Sequence, residues 1–233
     1  MLTPEEEKRS TQAAKWVKAN RRLIIDGFCT ADKCVPDTHP VTLFMAGSPG
    51  AGKTEVSKQL TRRFKEKPLR IDADEIRSLC PGYVGADAHV FQEAATKGVH
   101  ILYDHALKKS INVILDGTFA YGNALENIER SLAHTRKVEI YFIYQDPLQA
   151  WNFTKKREEI EHRNVSKEVF IKSFMRSREN VNAAKVRFGS KVELNLLIKD
   201  FETDFEELAL NIDKIDPHLK RAYNEDELAA LIS

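Results

Sequence analysis

Residues 41–54 read Val41-Thr42-Leu43-Phe44-Met45-Ala46-Gly47-Ser48-Pro49-Gly50-Ala51-Gly52-Lys53-Thr54. Val41 to Ala46 is apolar apart from Thr42, the pattern of a strand buried on both faces. Gly47 to Thr54 then fits G-x-x-x-x-G-K-[ST] without departure, and a helical pattern runs from Lys53 to about Lys65. The chemistry explains the residue types. Glycines let successive N–H groups turn inward toward phosphate oxygens, and the helix N-terminus adds its positive end. Lys53 reaches the outer phosphates and the Thr54 hydroxyl ligates Mg²⁺. The bland alternative is a glycine loop that only turns the chain. The strand, turn and helix around the motif favour nucleotide binding by Gly47, Ser48, Pro49, Gly50, Ala51, Gly52, Lys53 and Thr54.

Working outward, short apolar runs alternate with amphipathic stretches. Leu69 to Ile71 reads as a strand ending at Asp72, followed by a helix over Glu75 to Leu79. A helix covers Asp87 to Lys109, and Asn112 to Leu115 is a strand ending at Asp116. A helix over about Gly122 to Ala133 and a strand over Val138 to Tyr144 come next. Helices over about Pro147 to His162 and Lys167 to Arg187 lead to a strand over Lys191 to Ile198. Asn224 caps a last helix over Glu225 to Leu231, with Glu227 completing a capping box. Before the motif, Thr3, Pro4 and Glu6 start a helix running to Ile25, which Gly27 ends. This rhythm predicts an α/β fold of the P-loop NTPase type, a mostly parallel sheet flanked by helices, with an N-terminal helical extension. The expected division is 1–39 for that helix and its connecting loop and 40–233 for the nucleotide-binding domain, with a helical lid at about 147–188.

Composition bounds the function. Of 233 residues, 42% are hydrophobic, enough for a packed core without staples. The 36 basic and 35 acidic residues nearly cancel, which excludes a polybasic chain but allows a local basic groove. The acidic, polar start Met-Leu-Thr-Pro-Glu-Glu-Glu is unlike a secretory signal. No apolar run approaches the about 20 residues that span a bilayer. The expectation is a soluble, cytoplasmic protein with no membrane role. Cys29, Cys34 and Cys80 are then expected as reduced thiols.

Three further signals narrow the chemistry. GTPases carry an Asn/Thr-Lys-x-Asp element that is missing here, and Val113-Ile114-Leu115-Asp116 ends in one acid rather than two. A small kinase fits best. Ile71-Asp72-Ala73-Asp74 places two carboxylates at the strand edge where ligands bind in doubly wound sheets. Asp74 is the expected general base toward an acceptor hydroxyl, and Asp72 the expected cap or support. Lys155, Lys156, Arg157, His162, Arg163, Arg176 and Arg178 make a basic segment suited to stabilising transferred charge. Arg157 and Arg163 are the strongest of these, although Glu158, Glu159 and Glu161 among them also fit a solvated face.

These pieces together resemble the zeta-toxin family of P-loop kinases. Gly-Ser-Pro-Gly-Ala-Gly-Lys-Thr, Arg-Ile-Asp-Ala-Asp-Glu-Ile-Arg, Ile-Leu-Asp-Gly-Thr and the Asp146-Pro147 turn with Arg157 and Arg163 carry the likeness, over about residues 40 to 200. The resemblance implies ATP and Mg²⁺ as cofactors and phosphorylation of UDP-N-acetylglucosamine at its sugar 3′-hydroxyl. It further implies toxicity through loss of cell-wall precursors, and a small helical antitoxin that blocks the nucleotide site. By motif, Lys53 and Thr54 match the loop pair, Asp74 the base, Asp116 and Thr118 the Glu-Gly-Thr element, and Arg157 and Arg163 the lid arginines. Asp116 would help Thr54 hold the metal, while Asp72, His100 and Thr118 would face substrate. Two positions depart from the family: its sugar-contacting Glu falls on His100, and its Arg after the Thr falls on Ala120. Other acceptors therefore stay open, among them a nucleoside, an antibiotic or a nucleic-acid 5′ end. Nucleic acid is the weakest of these, since Trp151 and Phe153 read better as core than as stacking platforms. A non-catalytic ATP-binding module is the alternative outside enzymes. His100 and Asp104, spaced i and i+4, suit a hydrogen-bonded pair. The N-terminal helix fits an extra layer on the core, a built-in antitoxin-like element or a docking site for a partner.

Overall fold

The computed structural model describes residues 2–30, 34–162, 164–200 and 206–232. Two helices open the chain, α1 (Pro4–Ala19) and α2 (Arg21–Phe28), then β1 (Val41–Ala46), α3 (Lys53–Leu60), β2 (Leu69–Asp72) and α4 (Ala73–Leu79). Next come α5 (Gln92–Lys108), β3 (Val113–Asp116), α6 (Ala124–Ala133), β4 (Lys137–Gln145), α7 (Pro147–Glu161) and α8 (Lys167–Phe188). The chain closes with β5 (Val192–Lys199), β6 (Glu206–Ala209) and α9 (Glu225–Leu231). The sheet order is β2-β3-β1-β4-β5-β6, with every pair parallel except β5 and β6. The expected mostly parallel α/β sheet is therefore present.

The sheet is buried on both faces because its strands are apolar at successive positions. Phe44, Ala46, Leu115 and Phe142 point to one face, where they share a core with Val17 and Ile24 of the N-terminal helices, Leu102 of α5, Ile128 of α6 and Val181 of α8. Leu43, Met45, Ile114 and Ile143 point to the other, against Ala51 and Val56. Full burial of a side chain such as Phe44 is worth about 2 kcal/mol. Its ring also packs edge-on against Phe119 at 5.4 Å, tying β1 to the loop after β3. A third cluster joins Trp151 and Phe170 to Ile232, so Trp151 is core, as its sequence context predicts.

Several expectations are corrected. The helix foreseen from Thr3 to Ile25 is two helices, broken at Asn20. The Asn20 side-chain amide donates to the Trp16 carbonyl at 2.9 Å, an alternative to helical bonding that short polar side chains offer. Gly27 lies inside α2, which ends at Phe28. Cys29 and Cys34 are joined as a disulfide with Cα atoms 5.4 Å apart, not held as reduced thiols, and only Cys80 is free among the described residues. α3 stops at Leu60 and tightens into a 3₁₀ turn over Thr61–Arg63. α5 starts at Gln92, because Asp87 is spent accepting from the Val84 N–H at 3.2 Å and pairing with Arg9. β6 was not foreseen. Among the described residues no helix is long and apolar enough to cross a membrane.

Candidate active site

The phosphate-binding loop sits at the C-terminal edge of β1, central in the sheet, with its neighbours β3 and β4 on either side. Its glycines are used for close approach. Gly50 has φ +73°, and a Cβ there would overlap the Ala150 carbonyl oxygen of α7. Gly52, at φ +83°, precedes α3 and offers no side chain to cap it. The first-turn N–H groups of α3 are thus left for an anion, which the helix dipole also favours. Lys53 lies across the loop and donates from Nζ to the Ser48 carbonyl at 2.5 Å. Thr54 follows, half-buried, in the first turn of α3.

The acids line up at the same edge. Asp72 and Asp116 are register partners at the ends of β2 and β3. Asp72 caps α4 by accepting from the Asp74 N–H at 2.9 Å, so its expected capping role is present. Asp116 accepts at Oδ2 from the Ser57 hydroxyl at 2.7 Å and from Arg70 Nη1 at 2.8 Å. Arg70 also pairs with Asp72 at 3.1 Å and with Glu75, so one guanidinium balances three carboxylates. Burial pushes the Asp116 carboxyl above the usual carboxylate range, and the neighbouring Asp72 charge adds to this. The Ser57 hydrogen bond and the Arg70 and Lys53 charges oppose it. Asp74 occupies the first turn of α4, half-buried, where its Oδ1 pairs with Arg77.

The loop after β3 closes the site. The Gly47 N–H donates to the Thr118 carbonyl at 3.2 Å, joining this loop to the phosphate-binding loop. The Thr118 hydroxyl accepts from the Ala120 N–H at 3.3 Å. Phe119 between them is held at φ +58°, a conformation costly for a bulky residue. Asn180 of α8 clamps it, donating from Nδ2 to the Phe119 carbonyl at 2.8 Å and the Tyr121 carbonyl at 3.3 Å. His100 is half-buried on α5, but the pairing foreseen with Asp104 is not made: Asp104 pairs with Arg130 of α6 instead.

The segment expected to act as a lid starts with α7, whose Ala150 backs the phosphate-binding loop. Arg157 is exposed one turn beyond Thr154 on that helix, and Arg163 lies outside the described residues. Lys155 pairs with Glu158 at 2.5 Å and sits over the Trp151 ring, while Arg178 pairs with Asp216. Sequence reasoning thus names the loop and the acids, but misses Ser57, Arg70, Arg77 and Asn180. Arg70 had a signal: it shares a strand face with Asp72 through the period of two. Arg77 had one too, three residues after Asp74 on the same helix, whereas Ser57 and Asn180 depend on contacts between elements that no local pattern encodes.

A nucleotide with a divalent cation fits these residues. The uncapped α3 N-terminus, the glycine turns and Lys53 suit phosphates, and Thr54 and Asp116 are the residues that would hold a metal. Among the described residues no group of three His, Cys, Asp or Glu side chains is arranged to hold a metal ion by itself. A metal here would complete its shell with phosphate oxygens and water, as Mg²⁺ commonly does.

Comparison with known proteins agrees with this fold. No curated protein matches the chain. A chain from the PezAT chromosomal toxin–antitoxin system of Streptococcus pneumoniae superposes with TM-score 0.58 at 16% identity, over 100% of this chain and 89% of that one. A chain of the AvrRxo1-ORF1:AvrRxo1-ORF2 structure with sulphate ions gives 0.57 at 15% identity, over 92% of this chain and 72% of its own. These likenesses establish a shared fold. The Zeta toxin family model matches residues 26–204, the greater part of the sequence. The chain belongs to the zeta toxin family.

Proposed function

We propose that the chain is an ATP-dependent kinase that transfers the γ-phosphoryl group to a hydroxyl of a small molecule, a nucleotide sugar of the UDP-N-acetylglucosamine class. The observation that carries the reading is that loop and acids meet at one edge. Gly47 is bonded to Thr118, and Ser57 at the back of α3 is bonded to Asp116. In this reading Gly47 to Thr54 cradle the phosphates and Lys53 exchanges the Ser48 carbonyl for phosphate oxygens. Thr54 and Asp116 would hold Mg²⁺, which when bound would neutralise charge on the phosphates. Asp74 accepts the proton of the attacking hydroxyl, Asp72 holds the turn that presents it, and Thr118 orients the acceptor. Arg157 stabilises developing charge, the role that the resemblance gives to Arg163 as well.

His100 and Ala120 favour keeping a second acceptor class in view. The resemblance predicts a carboxylate and a guanidinium there, and this chain offers an imidazole and a methyl group. A site lacking such hydrogen-bonding groups loses discrimination for the substrate they fit. The kinship with toxin–antitoxin systems supports a toxin held in check by a helical antitoxin over the nucleotide site. We assign the reaction to the cytoplasm, where ATP is plentiful. The Cys29–Cys34 disulfide is the feature least expected there. The test is a screen of acceptor metabolites with γ-labelled ATP, nucleotide sugars included. Label is expected on a hydroxyl of one class, and label that never leaves ATP for any acceptor would overturn the assignment.

A further inference from the structure

We infer that Arg77 and Gln92 form a positioning pair that fixes the Asp74 carboxylate for the attack step. The inference rests on the reading of Asp74 as base given above.

Arg77 lies one turn after Asp74 on α4, and its side chain is 6% exposed. A buried guanidinium is costly unless both arms of its planar fork are engaged. Here Nη1 donates to Asp74 Oδ1 and Nη2 to Gln92 Oε1, the first residue of α5. Gln92 is itself restrained: Thr96 Oγ1 donates to its carbonyl at 2.9 Å, and its own Nε2 reaches Thr96 Oγ1 at 3.4 Å. The result is a chain of contacts running from α5 through a buried cation to a carboxylate at the ligand-binding edge.

Helix docking alone does not need this arrangement. α4 and α5 already meet through Ile76, whose Cγ2 lies 2.5 Å from where a Cβ on Gly98 would stand, so glycine permits the close approach. Ile76 is fully buried and supplies the apolar contact. A charged fork beside such a contact is a poor way to gain stability, since an apolar pair of similar volume does as well or better. A fork held at both ends does fix the rotation of the carboxylate it grips. Catalysis is sensitive to that, because a misplacement of about 1 Å can cost about 100-fold in rate.

The test is a double-mutant cycle. Gln92→Ala changes an exposed residue and spares the fold, Arg77→Gln removes the fork, and Arg77→Lys keeps charge but loses one arm. Each is made alone and with Asp74→Asn, and kcat and the KM for ATP are measured with UDP-N-acetylglucosamine as acceptor. If no label reaches that sugar, the acceptor assignment fails on its own, and the cycle is read on the basal hydrolysis of ATP. Gln92→Ala is expected to lower kcat about 10-fold with KM for ATP unchanged. Arg77→Gln should approach the loss of Asp74→Asn, with Arg77→Lys in between. In the Asp74→Asn background none of the three changes should cost anything more. Losses that multiply across the two backgrounds, or a KM for ATP that moves while kcat stays, overturn the positioning role. If Arg77→Gln does not fold, Gln92→Ala decides alone. Normal turnover by Asp74→Asn itself would instead remove the base, and the positioning role with it.

Discussion

Gly50 concentrates the demands of the site in one residue. Its φ of +73° suits glycine, and a methyl group would overlap the Ala150 backbone and also crowd the buried Thr154 hydroxyl. Relief requires either the loop or α7 to shift. Gly50→Ala is therefore expected to lower stability by more than about 1 kcal/mol and to weaken ATP binding, both measurable by thermal melts with and without nucleotide. A variant as stable as the parent, with unchanged affinity, would remove the close approach from the account. At this scale the sequence was readable wherever a residue type has one geometric use. The loop glycines, Lys53 and the capping Asp72 fall in that class. Arg77 does not: an arginine in an amphipathic heptad looks like surface, and only the packing of α4 on α5 buries it.

Among the elements, α1 and the loop after β3 make distinct predictions. Glu6 closes the capping box of α1 by accepting from the Thr3 N–H at 2.8 Å, and His89 Nε2 lies 3.0 Å from its other oxygen. The Thr3 hydrogen bond, followed by the His89 contact, lowers the Glu6 pKa from 4.5 to about 2. A depressed carboxyl contributes stability above its unfolded value and loses it as pH falls through the folded value. The contribution should thus be full above 4.5 and fade toward 2. Glu6→Gln keeps the capping geometry without the charge, so its melting temperature should fall less than the parent's across that window. Identical curves for the two proteins would contradict the linkage. The loop after β3 carries strain at Phe119 that Asn180 offsets from α8. Asn180→Leu removes both donated hydrogen bonds and should cost about 1 to 3 kcal/mol, with hydrogen exchange accelerated first at residues 117–123. Exchange unchanged there would show that the clamp is dispensable. Caps were legible at this scale, as α9 shows with Asn224 and Glu227. The break at Asn20 was not, because the apolar spacing runs on through it and only the amide's bond to Trp16 interrupts the helix.

For the molecule as a whole, alternating apolar runs and amphipathic stretches were enough to anticipate a mostly parallel sheet flanked by helices. They could not anticipate β6, four residues paired antiparallel to β5 and defined only by that pairing. Nor could they show that α1 and α2 share the main core, since that depends on Val17 and Ile24 meeting α5 in three dimensions. The central claim is that binding and transfer are divided between the loop of β1 and the first turn of α4. Measuring Mg²⁺-ATP affinity and γ-phosphoryl transfer side by side for Lys53→Ala and Asp74→Asn tests that division. Lys53→Ala is expected to lose both, while Asp74→Asn keeps ATP affinity and loses about 100-fold or more in turnover. Full transfer by Lys53→Ala, or near-normal turnover by Asp74→Asn with a collapse in Asp72→Asn, would contradict the account.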